Sequence, residues 1–333
     1  MKRIWKDLEP QSQEWLKARK QGLGGSDAGT VLGVNPYASP YALWAVKTGL
    51  VEDTFKGNQA TKLGNALERP VLEEYARSNN LRILVCKWSA QSVEYPFMRA
   101  NFDAFLTEDE TFIIGVTDVD PETLEATALK AYVEVKTAGL TSRSNKDAWF
   151  STRGCPENYY WQIVHCCALM GLNEALLIAL VGGSGIVERG YFITTEDFEH
   201  LLDVERNFWE MVEKKERPKV IADDVEILKE IYPVSDGTTV EVDEFVADCY
   251  LEWKKAKDEL DQADQKVKRL RAQLEVAVGN ADQATFNGDT LFTYKSNKVG
   301  LKFDEKRFKE ENPDMHESYL SERNGARVLR EKM

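Results

Sequence analysis

Glu134 and Lys136 stand two residues apart in YVEVKT, residues 132–137. On a strand, side chains i and i+2 share a face, so the carboxylate and the ammonium point one way while Val133 and Val135 point the other. A carboxylate beside a lysine suits metal-dependent phosphodiester hydrolysis. Mg2+ prefers hard oxygen ligands and keeps several waters, one of which becomes the nucleophile, and a nearby lysine lowers that water's pKa or stabilises charge developing on the phosphorane. The same pair is also what any half-exposed strand offers to solvent. Further polar groups must therefore converge on it. Asp103, set among apolar neighbours in MRANFDAFL, is a second carboxylate for such a site and equally a strand-end residue capped by backbone amides. Glu68 in LGNALERPVLEEYA and Gln162 in YYWQIVHCCALMG fall within helical patterns, where polar surface positions are commonplace.

The elements that must position these residues follow from periodicity. The first hundred residues read mostly as helices, broken by GLGGSDAGTVLG and by NPYASPYALWAVKTG, where Pro40 suits a first helical turn. Leu63, Leu67, Val71, Leu72 and Tyr75 recur at helical spacing around Glu68, with Pro70 expected to kink or restart that helix. From about 81 to 136 short β-rich runs predict a meander of strands. A helix is expected over NYYWQIVHCCALMGL, then a strand pair joined by Gly-Gly-Ser-Gly, then a helix over TEDFEHLLDVERNFWEMVEKKERP. The expected core spans 1–217 and a connection spans 218–239. Residues 240–333 form an extension: a long charge-rich helix with Leu251, Leu260, Val267, Leu270 and Leu274 on a seam, then a small hairpin and a short helix.

Composition narrows the setting. At 333 residues with 43% hydrophobic content the chain can fill a large core. No apolar run approaches a membrane span, and MKRIWKDLEPQSQEW lacks the apolar stretch of a secretory signal, so a cytoplasmic location without membrane partners is expected. Five cysteines without a CxxC pair speak against a disulfide framework and against a zinc or iron–sulfur site. A formal charge of −13 is unlike that of a generic nucleic-acid binder and is compatible with one whose basic residues are gathered locally.

In order and spacing the blocks resemble the YqaJ-like viral recombinases, relatives of the bacteriophage lambda exonuclease within the PD-(D/E)xK nuclease superfamily. The resemblance starts at WLKARKQGLGGSDAGTVLGVNPYASP from Trp15 and runs through LGNALERPVLEEYA, NFDAFL, VEVKT and YYWQIVHCCALMG. The tail FDEKRFKEENPDMHESYL is similar to that of many phage members. It implies an α/β (α+β) restriction-endonuclease-like fold, a mixed central sheet flanked by helices, with a helical and β-hairpin C-terminal extension. It implies that Asp103 and Glu134 ligate Mg2+ together with the Val135 carbonyl, with Mn2+ an open alternative. Lys136 would orient or activate the attacking water, Gln162 would assist, and Glu68 would add an acidic group at the metal. Arg19 and Ser26 match positions that hold a terminal 5′-phosphate. The implied activity is a 5′-to-3′ DNA exonuclease on linear duplex ends, working with a single-strand annealing protein in phage-type recombination, as a homo-oligomer of which a trimer is one form. The alternative is a nuclease-fold DNA-binding or scaffold protein that does not cut. Two departures stand out. Phe102 replaces the superfamily's proline before Asp103, and the long stretch from Asp103 to Glu134 carries Asp118 and Asp120 as rival ligands, both more readily read as turn residues.

Overall fold

A computed structural model describes residues 2–8, 12–53, 57–139, 147–183, 185–298, 300–321, 325 and 327–330. Ser184 of the Gly-Gly-Ser-Gly link lies outside the described residues. The chain divides into two units, Met1–Tyr232 and Pro233–Met333.

The first unit is built on the strand that carries YVEVKT, β7 (Leu129–Ala138). It lies inside a six-stranded mixed sheet with β2 (Arg82–Val85), β5 (Ala104–Thr107), β6 (Gly115–Asp118), β8 (Glu174–Val181) and β9 (Gly185–Phe192), in the order β6-β2-β5-β7-β8-β9. β7 runs parallel to β8 and antiparallel to β5, and β8 and β9 form the expected antiparallel pair. Alternation along β7 divides the core. Val133 and Val135 pack with Val71, Leu72 and Tyr75 of α4 (Gln59–Ser78), whereas Tyr132 packs with the buried face of α6 (Glu157–Met170) through Trp161 and Ile163. Helices thus cover both sides of the sheet, which is why β8 reads as a continuous apolar run and not as an alternation.

Three expectations are corrected. The strands of 81–136 are no meander: β3 (Ser89–Ser92) leaves the main sheet to pair on one side with β4 (Arg99–Ala100) and on the other with an N-terminal β1 (Arg3–Lys6), and α5 (Pro121–Ala126) fills part of the long insertion. Pro70 does not restart α4, which runs as one helix across it from Gln59 to Ser78. Its ring deprives the Ala66 carbonyl of a donor, and both residues are exposed, so water can replace that bond. Within 218–239 a short helix, α8 (Val225–Ile231), places Ile227, Leu228 and Ile231 against a second core of Tyr41, Trp44, Phe97 and Phe208.

Tyr41 and Trp44 belong to α3 (Pro40–Lys47) and Phe208 to α7 (Thr195–Lys214). Ser39 caps α3 and donates its hydroxyl hydrogen bond to buried Asp224, tying α8's start to α3. The second unit holds a 35-residue helix, α9 (Glu244–Val278), a hairpin of β10 (Gln283–Phe286) and β11 (Asp289–Thr293), and two short helices, α10 (Glu305–Glu311) and α11 (Pro313–Ser318). No described helix is long and apolar enough to cross a membrane.

Candidate active site

Glu134 is fully buried, and its carboxylate is wholly engaged. Tyr132, two residues back on the same face, donates its hydroxyl to Oε2. Lys136 donates its ammonium to Oε1, and Gln162 of α6 donates its amide to the same oxygen at 2.6 Å. The strand's period of two therefore stacks hydroxyl, carboxylate and ammonium in a row, and α6 closes the row from above. The Lys136 ammonium also lies 5.2 Å from the centroid of the Tyr159 ring.

Asp103 sits one step before β5. Since Ala104 pairs with Val133, the antiparallel register carries Asp103 to the level of Glu134, where its Oδ2 accepts the Val135 amide hydrogen at 2.8 Å. It is thus a strand-end residue and a neighbour of the cluster at once. Glu68 reaches the cluster electrostatically from α4. Gly64, one turn earlier, lets that helix approach Thr137: a Cβ there would stand 3.2 Å from the threonine hydroxyl.

Asp103, Glu68 and Lys136 are all moved from their usual ranges by burial and by the charges around them. Burial pushes the Asp103 carboxyl well above the usual range and the negative charge of Glu134 adds to it, with Lys136 pulling the other way. Burial and Glu134 likewise raise Glu68. Burial works to lower the Lys136 ammonium, but Glu134 and Asp103 override it and hold the proton on. One lysine does not neutralise three converging carboxylates. This surplus of hard, anionic oxygen is the donor chemistry that suits a divalent cation such as Mg2+. Among the described residues no group of three or more His, Cys, Asp or Glu side chains is already arranged for a metal, and ligation by Glu134 competes with the hydrogen bonds from Lys136, Gln162 and Tyr132.

Arg19 and Ser26 lie on the other side of Gln162. Together with Lys6, Trp15, Arg99 and Gln162 they line a cavity of about 210 Å³. Arg19, near the end of α1 (Gln13–Lys20), stacks its guanidinium 4.8 Å from the centroid of Trp15 and approaches Asp27 at 3.9 Å. Asp27 is held below the usual carboxylate range: burial would raise it, but Lys47 and Arg19 outweigh that. It also caps the amide of Gly24 at the start of α2 (Gly25–Val31), the helix that carries Ser26. The close approach of α2 to α6 depends on Gly29, where a Cβ would stand 2.7 Å from the Asn158 backbone. Gln162 thus touches both the acidic cluster and the basic cavity.

The other sequence candidates lie elsewhere. Asp120 is the N-cap of α5, and Asp118, on the sheet's edge strand β6, pairs with Arg69 at 2.7 Å. Three residues of the site were missed from sequence. Tyr132 carried a signal in its i−2 spacing from Glu134. Trp15 heads the motif that carries the family resemblance but was given no role there, and Arg99 carried no signal, because a cavity wall drawn from α1 and β4 has no period. The Arg99 Nε is buried without a hydrogen-bond partner, and burial lowers the pKa of its guanidinium.

A helix-flanked mixed sheet that gathers an E-x-K strand, a neighbouring aspartate and a helical glutamine defines a nuclease enzyme. Residues 14–173, the stretch that carries this site, match the YqaJ-like viral recombinase domain family. The uncharacterized protein YqaJ of Bacillus subtilis strain 168 is 25% identical over 323 residues, covering 95% of this chain and 93% of that protein. Among solved structures, the alkaline exonuclease LHK-Exo of Laribacter hongkongensis is similar at 13% identity and a TM-score of 0.46, covering 66% of this chain and 97% of that one. Its complex with dAMP gives a TM-score of 0.44 at the same identity and coverage.

Proposed function

We propose that the protein is a Mg2+-dependent DNA exonuclease that engages a 5′-phosphorylated end of linear duplex DNA and degrades that strand 5′ to 3′. The exposed single strand then serves annealing-type recombination, with an annealing protein as partner. The observation that carries this reading is the contact of Gln162 with both the acidic cluster and the basic cavity. A terminal phosphate held by Arg19 and Ser26 would leave the adjoining phosphodiester beside Glu134 and Lys136.

Asp103, Glu134, the Val135 carbonyl and Glu68 would hold the metal. When bound, Mg2+ supplies a polarised water and screens the phosphate's charge. The chain's own residues do the rest. Lys136, held protonated, sets a positive charge where the pentavalent phosphorus gathers negative charge, and Gln162 fixes the orientation of the Glu134 carboxylate.

The test uses linear duplex DNA with one 5′-phosphate and one 5′-hydroxyl end, each strand separately labelled, in Mg2+, Mn2+ or EDTA. Mononucleotide release from the phosphorylated strand that requires the metal and disappears in Lys136→Ala is the expected result. DNA that is bound but left intact by both proteins would mean a non-catalytic binding role.

A further inference from the structure

α9 offers an apolar seam that its own unit does not bury. Val246, Trp253, Leu260, Val267 and Leu274 follow one another at intervals of seven. Three residues after each stand Cys249, Ala256, Ala263, Leu270 and Ala277, so both core positions of five consecutive heptads are apolar. Leu251, expected on the seam, falls outside it. Along the seam's first row Val246 is 45% exposed and Leu260 66%, and no residue of α9 is buried. A 35-residue helix in water gains little from propensity alone, and a seam sustained over this many heptads is the pattern of a coiled coil.

The flanking charges identify the occupant. In a parallel, in-register pair, Glu259 would face Asp264 of the second copy and Lys266 would face Arg271, two like-charge contacts against one favourable contact, Glu252 with Lys257. In an antiparallel pair centred between Leu260 and Ala263, Glu259 faces Lys266 and Lys257 faces Asp264, each twice by symmetry, with no like-charge contact among them. In the same antiparallel register three layers match a large with a small side chain, Leu260 with Ala263, Val267 with Ala256 and Val246 with Ala277, while Trp253 meets Leu270. We propose that α9 is a self-association element, pairing with α9 of a second copy of this chain as an antiparallel two-stranded coiled coil.

The test is sedimentation of the full chain over a range of concentrations, comparing wild type with Glu259→Lys, Lys266→Glu and the double reversal. All these positions lie on an exposed helix surface, so folding is not at stake, and any assembly made by the first unit is common to all four proteins. Each single reversal places like charges together at two symmetry-related contacts and should weaken association about tenfold, and the double reversal should restore it. Tighter association of Glu259→Lys would overturn the antiparallel register, because in a parallel pair that change removes a repulsion. Identical behaviour of all four proteins would overturn the pairing itself and leave the seam to another partner.

Discussion

At the scale of single residues, the site is a contest over two oxygens of Glu134. Gln162 touches one of them and also the neighbouring cavity, so its loss should loosen the cluster without removing a ligand. Gln162→Ala is expected to lower kcat by roughly 10–100-fold, the usual effect of losing a group that orients a ligand, while leaving binding to duplex ends within a few-fold. An equal loss in both would mean that the residue only supports the fold. Arg99 is the second case. With its Nε unpartnered beside the cavity, Arg99→Ala should reduce preference for a 5′-phosphate over a 5′-hydroxyl end by about tenfold and lower the salt slope of binding by about one. Competition binding with the two ends at several salt concentrations reads both. Glu134 and Lys136 were legible from their spacing, Asp103 and Gln162 only through the family resemblance, and the structure brings the four together. Arg99 was not legible, because its importance comes from what the fold leaves unpaired.

At the scale of elements, the site depends on how α6 is held. One anchor is α2, through Gly29. Gly29→Ala would drive a methyl into the Asn158 backbone, and the expected cost is about 1–3 kcal/mol, seen as a lower Tm. The other anchor is a charge buried between α6 and α7. His165 has both ring nitrogens against acceptors, the Glu205 carboxylate at 2.7 Å and the Arg99 carbonyl at 2.8 Å, so only the imidazolium satisfies both. Burial opposes the charged ring, but Glu205 prevails and raises its pKa. The folded-state value therefore lies above the unfolded one near 6.5, so this stabilisation is complete below about pH 6.5 and is lost as pH rises through the folded value. Glu205→Gln should lower stability by roughly 3 kcal/mol at neutral pH and begin its alkaline decline at lower pH. Thermal unfolding between pH 6 and 9.5 checks this, and Tm profiles that stay parallel at every pH would refute it. The helices themselves were legible from apolar spacing, as in NYYWQIVHCCALMGL. Strand partners were not, since a β-rich run states that it pairs but not with which strand, and β3 and β4 joined β1.

At the scale of the whole chain, a net charge of −13 requires that any surface facing DNA be locally basic, and Lys6, Arg19 and Arg99 meet at one cavity. Every residue of the site lies in the first unit, which closes at Tyr232. Composition hides that boundary, because 218–236 has the prolines and charges of a connection, yet Ile227, Leu228 and Ile231 cover the core around Trp44 and Phe208. Two truncations separate these readings. A chain ending at residue 217 loses three partly buried aliphatic side chains, at roughly 1 kcal/mol each, and the Ser39–Asp224 hydrogen bond, worth about 1–2 kcal/mol. It should be destabilised by about 4 kcal/mol and bare an aromatic patch that binds a hydrophobic dye. A chain ending at residue 232 keeps all of these contacts and is expected to unfold cooperatively near the full chain's Tm while still cleaving short linear duplexes. If the two truncations are equally stable, α8 contributes nothing to the core. If the longer one folds but does not cut, residues from Pro233 onward supply part of the catalytic machinery.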